Sequence, residues 1–267
     1  MSKLFFLGTG KMATAIAGGI VRAGVLNSSE ICGFDVNADA IAAFEKSTGC
    51  AGYNSNLEQL ISEAQYILIA VKPQMIESAL AGLTQLLKDK TFLSIAAGIS
   101  IAKLETLTQS KKIIRIMPNT PALVGCGAAA YAVSAGAAEE DEKFADTVFS
   151  AVGSAVKVAE SALDAVTALS GSGPAYVFEF IQALADGGVA EGLPRDIALQ
   201  LAVQTVIGSA RMVAETGVHP AQLKDNVTSP GGTTSRALEV MAERAFAGTV
   251  IKCVRAAAQR SRELGGK

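Results

Sequence analysis

Two glycine turns in this 267-residue chain have the residue types and spacing to hold an anion without a basic side chain. The first, Gly8-Thr9-Gly10-Lys11-Met12-Ala13, reads GxGxxA between an apolar run and an amphipathic one. In that setting Gly8 permits a tight turn, Gly10 lets a pyrophosphate approach the backbone, and small Ala13 lets the helix lie close on the strand. The free N–H groups of the helix start then receive phosphates. Asp35 closes the second apolar run, about where an acidic side chain accepts from a ribose 2′-hydroxyl and favours NAD. Asn37, just beyond it, tolerates either nucleotide, so NAD and NADP both stay open.

The second turn is Ser229-Pro230-Gly231-Gly232-Thr233-Thr234-Ser235, ahead of a predicted helix. Its amides and hydroxyls suit a small carboxylate, and equally suit a well-capped helix start. Two more stretches are unusually polar for so apolar a chain: Met117-Pro118-Asn119-Thr120-Pro121 and Ser170-Gly171-Ser172-Gly173-Pro174. Lys72, in Ala70-Val71-Lys72-Pro73, stands at a strand end where ligands bind in open α/β folds, although a plain surface lysine explains it as well. The Ala96-Ala97-Gly98 turn offers backbone groups and little bulk. The one histidine, His219, sits in a Val-His-Pro turn and reads as a helix entry. No Ser-His-Asp set, HExxH motif or Walker lysine is present, which disfavours hydrolysis by those routes and P-loop phosphoryl transfer. Hydride transfer remains, because a cofactor carries that chemistry and the protein positions it.

The elements that must position these turns follow from hydrophobic periodicity. Strands are predicted over Lys3–Leu7, Ile31–Asp35, Tyr66–Ala70, Thr91–Ala96, Ile113–Met117, Ala128–Ala132 and Ser154–Val158. Helices fall between them over Lys11–Ala23, Ala38–Lys46, Gln74–Leu80, Ala102–Leu107 and Glu139–Ala151. Such alternation, with continuous apolar runs, predicts a doubly wound sheet covered on both faces. From Ser161 onward only helices are predicted, over Ala175–Glu191, Arg195–Thr216, Ala221–Asn226, Ser235–Arg244 and Thr249–Leu264. The expected division is therefore a dinucleotide-binding domain over 1–160 and a helical domain over 161–267. Stretches such as Ala198–Ala210 are apolar around much of their circumference, as in helices exchanged between subunits or buried within one.

Composition sets the outer bounds. With 25 acidic and 23 basic residues the net charge is -2, and no basic stripe marks a nucleic-acid binder. Cys32, Cys50, Cys126 and Cys253 are scattered without metal-ligand spacing, so no metal site is expected. The apolar run at Lys3–Leu7 is too short for a signal core or a membrane span, and a cytoplasmic protein is expected.

Taken together, Gly8–Met12, Val71-Lys72-Pro73-Gln74, Arg115–Pro121, Leu169–Tyr176 and Leu223–Thr234 resemble the pyrroline-5-carboxylate reductases, which catalyse the last step of proline biosynthesis. The likeness spans essentially the whole chain, and the last two motifs, in this order and spacing, are close to diagnostic. It implies an N-terminal Rossmann domain, a C-terminal helical dimerisation domain, and often a ring of five dimers. It also implies cofactor contacts, for NADP or NAD, at Leu7, Gly8, Thr9, Gly10, Lys11, Met12, Asn56, Ala70, Val71, Lys72, Pro73 and Ala97. Substrate contacts are implied at Glu160, Asn226, Ser229, Gly231, Gly232, Thr233 and Thr234, with Thr234 the candidate for protonating the ring nitrogen. Members that use NADPH often carry Ser or Thr near the position of Asp35. Other small imine or β-hydroxyacid reductases would lack the Ser229–Thr234 cradle or use a lysine on the helix after Gly173, where none stands. A non-catalytic nucleotide sensor would not need the cradle at all.

Overall fold

A computed structural model describes residues 3–266. They form two compact units, one running through Ser172 and joined by the stretch from Ala257 on, the other spanning Gly173–Ala256.

The first unit alternates strand and helix: β1 (Leu4–Leu7), α1 (Lys11–Arg22), β2 (Ile31–Phe34), α2 (Ala38–Thr48), β3 (Ala51–Tyr53), α3 (Leu57–Glu63) and β4 (Tyr66–Ile69). It continues with α4 (Ile76–Leu80), α5 (Thr84–Leu87), β5 (Thr91–Ser94), α6 (Ile101–Thr108), β6 (Ile113–Met117), β7 (Gly127–Val133), α7 (Glu139–Ser150), β8 (Gly153–Lys157) and α8 (Leu163–Val166). One eight-stranded sheet results, in the order β3-β2-β1-β4-β5-β6-β7-β8. The strands are parallel from β3 through β6; β7 then runs antiparallel to β6, and β8 parallel to β7. Period-two alternation divides each central strand between two cores. Leu4, Phe6, Tyr66 and Leu68 join Ile16, Phe44 and Phe149 on one face, while Phe5, Leu7, Ile67 and Ile69 join Ile61, Leu87 and Leu104 on the other.

The sequence predicts no element between residues 46 and 66, yet β3 and α3 lie there. β3 has only three residues and its flanking side chains are exposed, so pairing with β2 creates it, not a local apolar signal. The predicted doubly wound sheet forms, and within it the β6–β7 pair is antiparallel. The stretch predicted as one helix over Gln74–Leu80 is a 3-10 turn at Pro73–Met75 followed by the short α4, because Pro73 fixes the entry.

Two buried tyrosines give the unit an alkaline limit. Burial, and then the nearby charge of Asp141 for Tyr66 and the hydrogen bond to Asp146 for Tyr131, push both phenols up to about 12. The unfolded phenol titrates near pH 10, so these groups stabilise the fold fully below that pH. Stability is expected to fall between about pH 10 and pH 12, as the unfolded chain sheds protons that the native one keeps. Chemical denaturation across that range checks this: Tyr66→Phe with Tyr131→Phe should flatten the decline.

The second unit is helical, with α9 (Gly173–Ala190), α10 (Arg195–Thr216), α11 (Pro220–Asn226), α12 (Thr233–Glu243) and most of α13 (Phe246–Leu264). Its own core is small: Ala185, Ala198 and Ala202, with Ile181 and Val189 against them. Phe178, Leu201, Ile207 and Ile251 stay exposed in the single chain. As the sequence predicts, His219 caps the entry to α11, its Nδ1 accepting from the Ala221 N–H at 3.2 Å.

Candidate active site

The carboxyl edge of the sheet carries a cleft of about 1100 Å³. Strand order explains its walls. The end of β1 supplies Leu7, Gly8 and Gly10; the end of β2 supplies Phe34–Asn37; the loop after β3 supplies Asn56; and the end of β4 supplies Ala70, Val71 and Lys72. Such a crevice, where the connections diverge to opposite sides of the sheet, is where open α/β folds bind ligands. Of the predicted cofactor residues, Leu7, Gly8, Gly10, Asp35, Asn56, Ala70, Val71 and Lys72 line it together. Thr9, Lys11, Met12, Pro73 and Ala97 stand outside its lining. Sequence reasoning missed the wall formed by Leu57, Glu58 and Gln59 because it did not foresee α3, and missed Val36, an exposed apolar side chain at the cleft.

The two turn glycines have different tasks. Gly8 has φ of +103°, and an added Cβ would lie 2.9 Å from the Ala70 carbonyl carbon and from Val71 Cγ1. Here the chain itself demands glycine. Gly10 has φ of -66°, caps α1 with no side-chain hydrogen bond, and a Cβ there would meet nothing within 4 Å. Its bareness keeps the start of α1 open, the geometry that receives a pyrophosphate. Thr9 acts from behind: its backbone N–H donates to Asp35 Oδ2 at 2.8 Å, and the Asn37 N–H donates to Asp35 Oδ1 at 3.0 Å. Asp35 is thus locked against the turn it follows by 26 residues.

Glu160 lies in the same unit. Its Oε1 accepts from the Ile101 N–H at 2.8 Å and from the buried Arg115 Nη1 at 3.0 Å, joining the start of α6 to β6. Nearby in the fold the two other polar motifs meet: Asn119 accepts from the Ala128 N–H at 2.9 Å and donates to the Ser170 carbonyl at 3.1 Å. Ser170 belongs to a π-turn over Thr167–Gly171, and a Cβ at Gly171 would come within 2.6 Å of Met117 Cε and displace the end of that side chain.

In the helical unit, the Gly232 N–H donates to the Ser229 carbonyl at 3.1 Å, closing a turn with Pro230 and Gly231 at its corners. Gly231 has φ of +68°, the type II signature. A Cβ at Gly232 would collide with Ser229 Oγ, so a side chain there would turn that hydroxyl away. The Gly232 amide is spent on the turn, but no side chain caps α12, leaving the first-turn amides of Thr233 and Thr234 for an anion. Thr234 is half-buried there; Asn226, at the end of α11, accepts from Gln222 Nε2 at 2.9 Å.

Comparison with known proteins agrees with this arrangement. A family model described as pyrroline-5-carboxylate reductase dimerisation matches residues 160–264, and one described as NADP oxidoreductase coenzyme F420-dependent matches residues 3–98. A pyrroline-5-carboxylate reductase of Arabidopsis thaliana is 47% identical over 264 residues, covering 98% of this chain and 95% of that protein. The solved structure of a pyrroline-5-carboxylate reductase from Coxiella burnetii superposes with a TM-score of 0.92 at 33% identity, covering 98% of each chain. A Plasmodium falciparum pyrroline carboxylate reductase with NADP bound gives a TM-score of 0.87 at 36% identity, covering 99% of this chain and 98% of that one.

Proposed function

This chain belongs to the pyrroline-5-carboxylate reductase family, and on that premise we propose how its turns divide the work of reducing 1-pyrroline-5-carboxylate to L-proline with NADPH or NADH. The observation that carries the reading is the open, uncapped start of α1 beside Gly8 and Gly10, within a chain alike to these reductases along its whole length. When bound, the reduced dinucleotide supplies the hydride that goes to the carbon of the substrate C=N bond, while a proton goes to its nitrogen. The backbone at Gly8–Met12 holds the pyrophosphate, and Lys72 and Asn56 hold the dinucleotide from the other walls. The amides of Thr233 and Thr234, with the Ser229 hydroxyl, hold the substrate carboxylate and so fix the ring's orientation, which supplies much of the rate. Thr234 Oγ1 hydrogen-bonds the ring nitrogen and relays its proton from water, because a hydroxyl is too weak an acid to serve alone. Glu160 and Asn226 complete the substrate contacts, and the functional boundary falls at residue 160. The test is oxidation of NADPH and of NADH in the presence of 1-pyrroline-5-carboxylate. Turnover with either is expected; none with both would sink the reading.

The helical unit is a dimerisation unit. Its exposed Leu201 and Ile207, on a helix that buries only Ala198 and Ala202 within the chain, support burial against a second copy. We place the enzyme in the cytoplasm, with five such dimers as the full assembly. Leu201→Lys with Ile207→Lys is expected to reduce the sedimenting species to one chain and to abolish turnover. A variant that kept both its mass and its activity would remove α10 from the interface.

A further inference from the structure

We infer that the adenosine end of the cleft selects NADH over NADPH, and that Asp35 is the residue that decides it; the inference rests on the proposal that this cleft binds a dinucleotide. Strand order puts the ends of β2 and β3 on one side of the Gly8–Gly10 turn and the end of β4 on the other. The adenosine side is therefore built from Asp35, Asn37, Asn56 and Glu58. Two of these are carboxylates, and Asp39 in the first turn of α2 adds a third negative charge close by. Among the described residues, the one cationic side chain lining the cleft is Lys72, at the end of β4 beyond the turn.

NADPH differs from NADH by a phosphate on the adenosine ribose, carrying close to two negative charges at neutral pH. A site that accepts it needs a cation or an open helix start to offset them. The described residues on the adenosine side supply neither. The start of α2 is already closed, since Asn37 Oδ1 accepts from the Asp39 N–H at 2.9 Å and the Ala40 N–H at 3.3 Å. Asp35 cannot swing aside without releasing the amides of Thr9 and Asn37 that hold its two oxygens. That anchoring fixes the carboxylate where a ribose 2′-hydroxyl can donate to it and where a 2′-phosphate meets like charge. Asn37 alone leaves the choice open on sequence; in the fold its acceptor is committed to α2, and the decision passes to Asp35.

Titrating NADH and NADPH into the wild-type enzyme without substrate, and following nicotinamide fluorescence, measures both dissociation constants independently of turnover. NADH is expected to bind at least about tenfold more tightly in low salt, and the ratio should narrow between about 0.01 M and 0.1 M salt as the repulsion is screened. Asp35→Ser should move the ratio at least about tenfold toward NADPH, and Glu58→Gln should move it the same way by less. Asp35→Ser also frees the Thr9 amide; should it fail to fold, the wild-type ratio, its salt dependence and Glu58→Gln decide. Equal or tighter binding of NADPH by the wild type, or an unmoved ratio in a folded Asp35→Ser protein, overturns the inference while leaving the reductase reading intact. Failure of both dinucleotides to bind overturns that reading and the inference with it.

Discussion

Replacing Gly10 with alanine is expected to leave the protein as stable as the wild type and to weaken dinucleotide binding by roughly 30- to 150-fold, about 2–3 kcal/mol. The two halves of that expectation come from one observation. At φ of -66° alanine is unstrained, and its methyl group meets nothing in the protein within 4 Å. The space it enters is where the pyrophosphate must approach the first amides of α1, and charge-assisted hydrogen bonds to those amides are lengthened or lost. Gly8→Ala is the contrasting case. Its Cβ would press on the Ala70 carbonyl and Val71 at 2.9 Å, in a backbone conformation that L residues rarely adopt. Overpacking and backbone strain each cost about 1–3 kcal/mol, so this variant should lose stability first and binding as a consequence. Thermal melts of the two variants, paired with NADH and NADPH titrations, separate these outcomes. If Gly10→Ala bound both dinucleotides normally, or melted as early as Gly8→Ala, the assignment of Gly10 to the pyrophosphate would be wrong.

The second large effect is expected at Thr234. Valine matches its shape while removing the hydroxyl, and Thr234→Val should lower kcat by about 10²-fold, within the usual range for a positioned proton-transfer group. Dinucleotide affinity should not change, because the substitution lies on α12 and leaves its backbone amides in place. KM for 1-pyrroline-5-carboxylate should rise only a few-fold, since those amides still hold the carboxylate. Lys72 is the rival proton donor, and the comparison with Lys72→Met discriminates. Loss of dinucleotide affinity with turnover largely kept supports cofactor binding by Lys72 and proton transfer by Thr234. Normal affinity with abolished turnover would move the proton-donor role from Thr234 to Lys72.

What the chain alone determines is whatever its signals carry over a few residues. The apolar runs at Leu4–Leu7 and Tyr66–Ile69, the turn at Gly8, and the helical second half are all legible, because strand period, turn chemistry and capping are local. So are the two glycine turns themselves, where positive φ at Gly8 and Gly231 favours glycine. Tertiary structure decides what depends on partners far along the chain. β3 exists because β2 pairs with it, and the loop and helix that follow bring Asn56 and Glu58 to the cleft. The reversal of β7 is a choice of topology that its Ala-rich sequence does not encode locally. Asp35 looks on sequence like an acidic residue at a strand end. Only the fold brings the Thr9 amide, 26 residues away, to one of its oxygens, while the Asn37 amide two residues on holds the other, and so the carboxylate is fixed at one place in the cleft. Glu160 shows the same dependence: its engagement with Arg115 and the start of α6 spans 45 and 59 residues of chain, a distance over which no local pattern speaks.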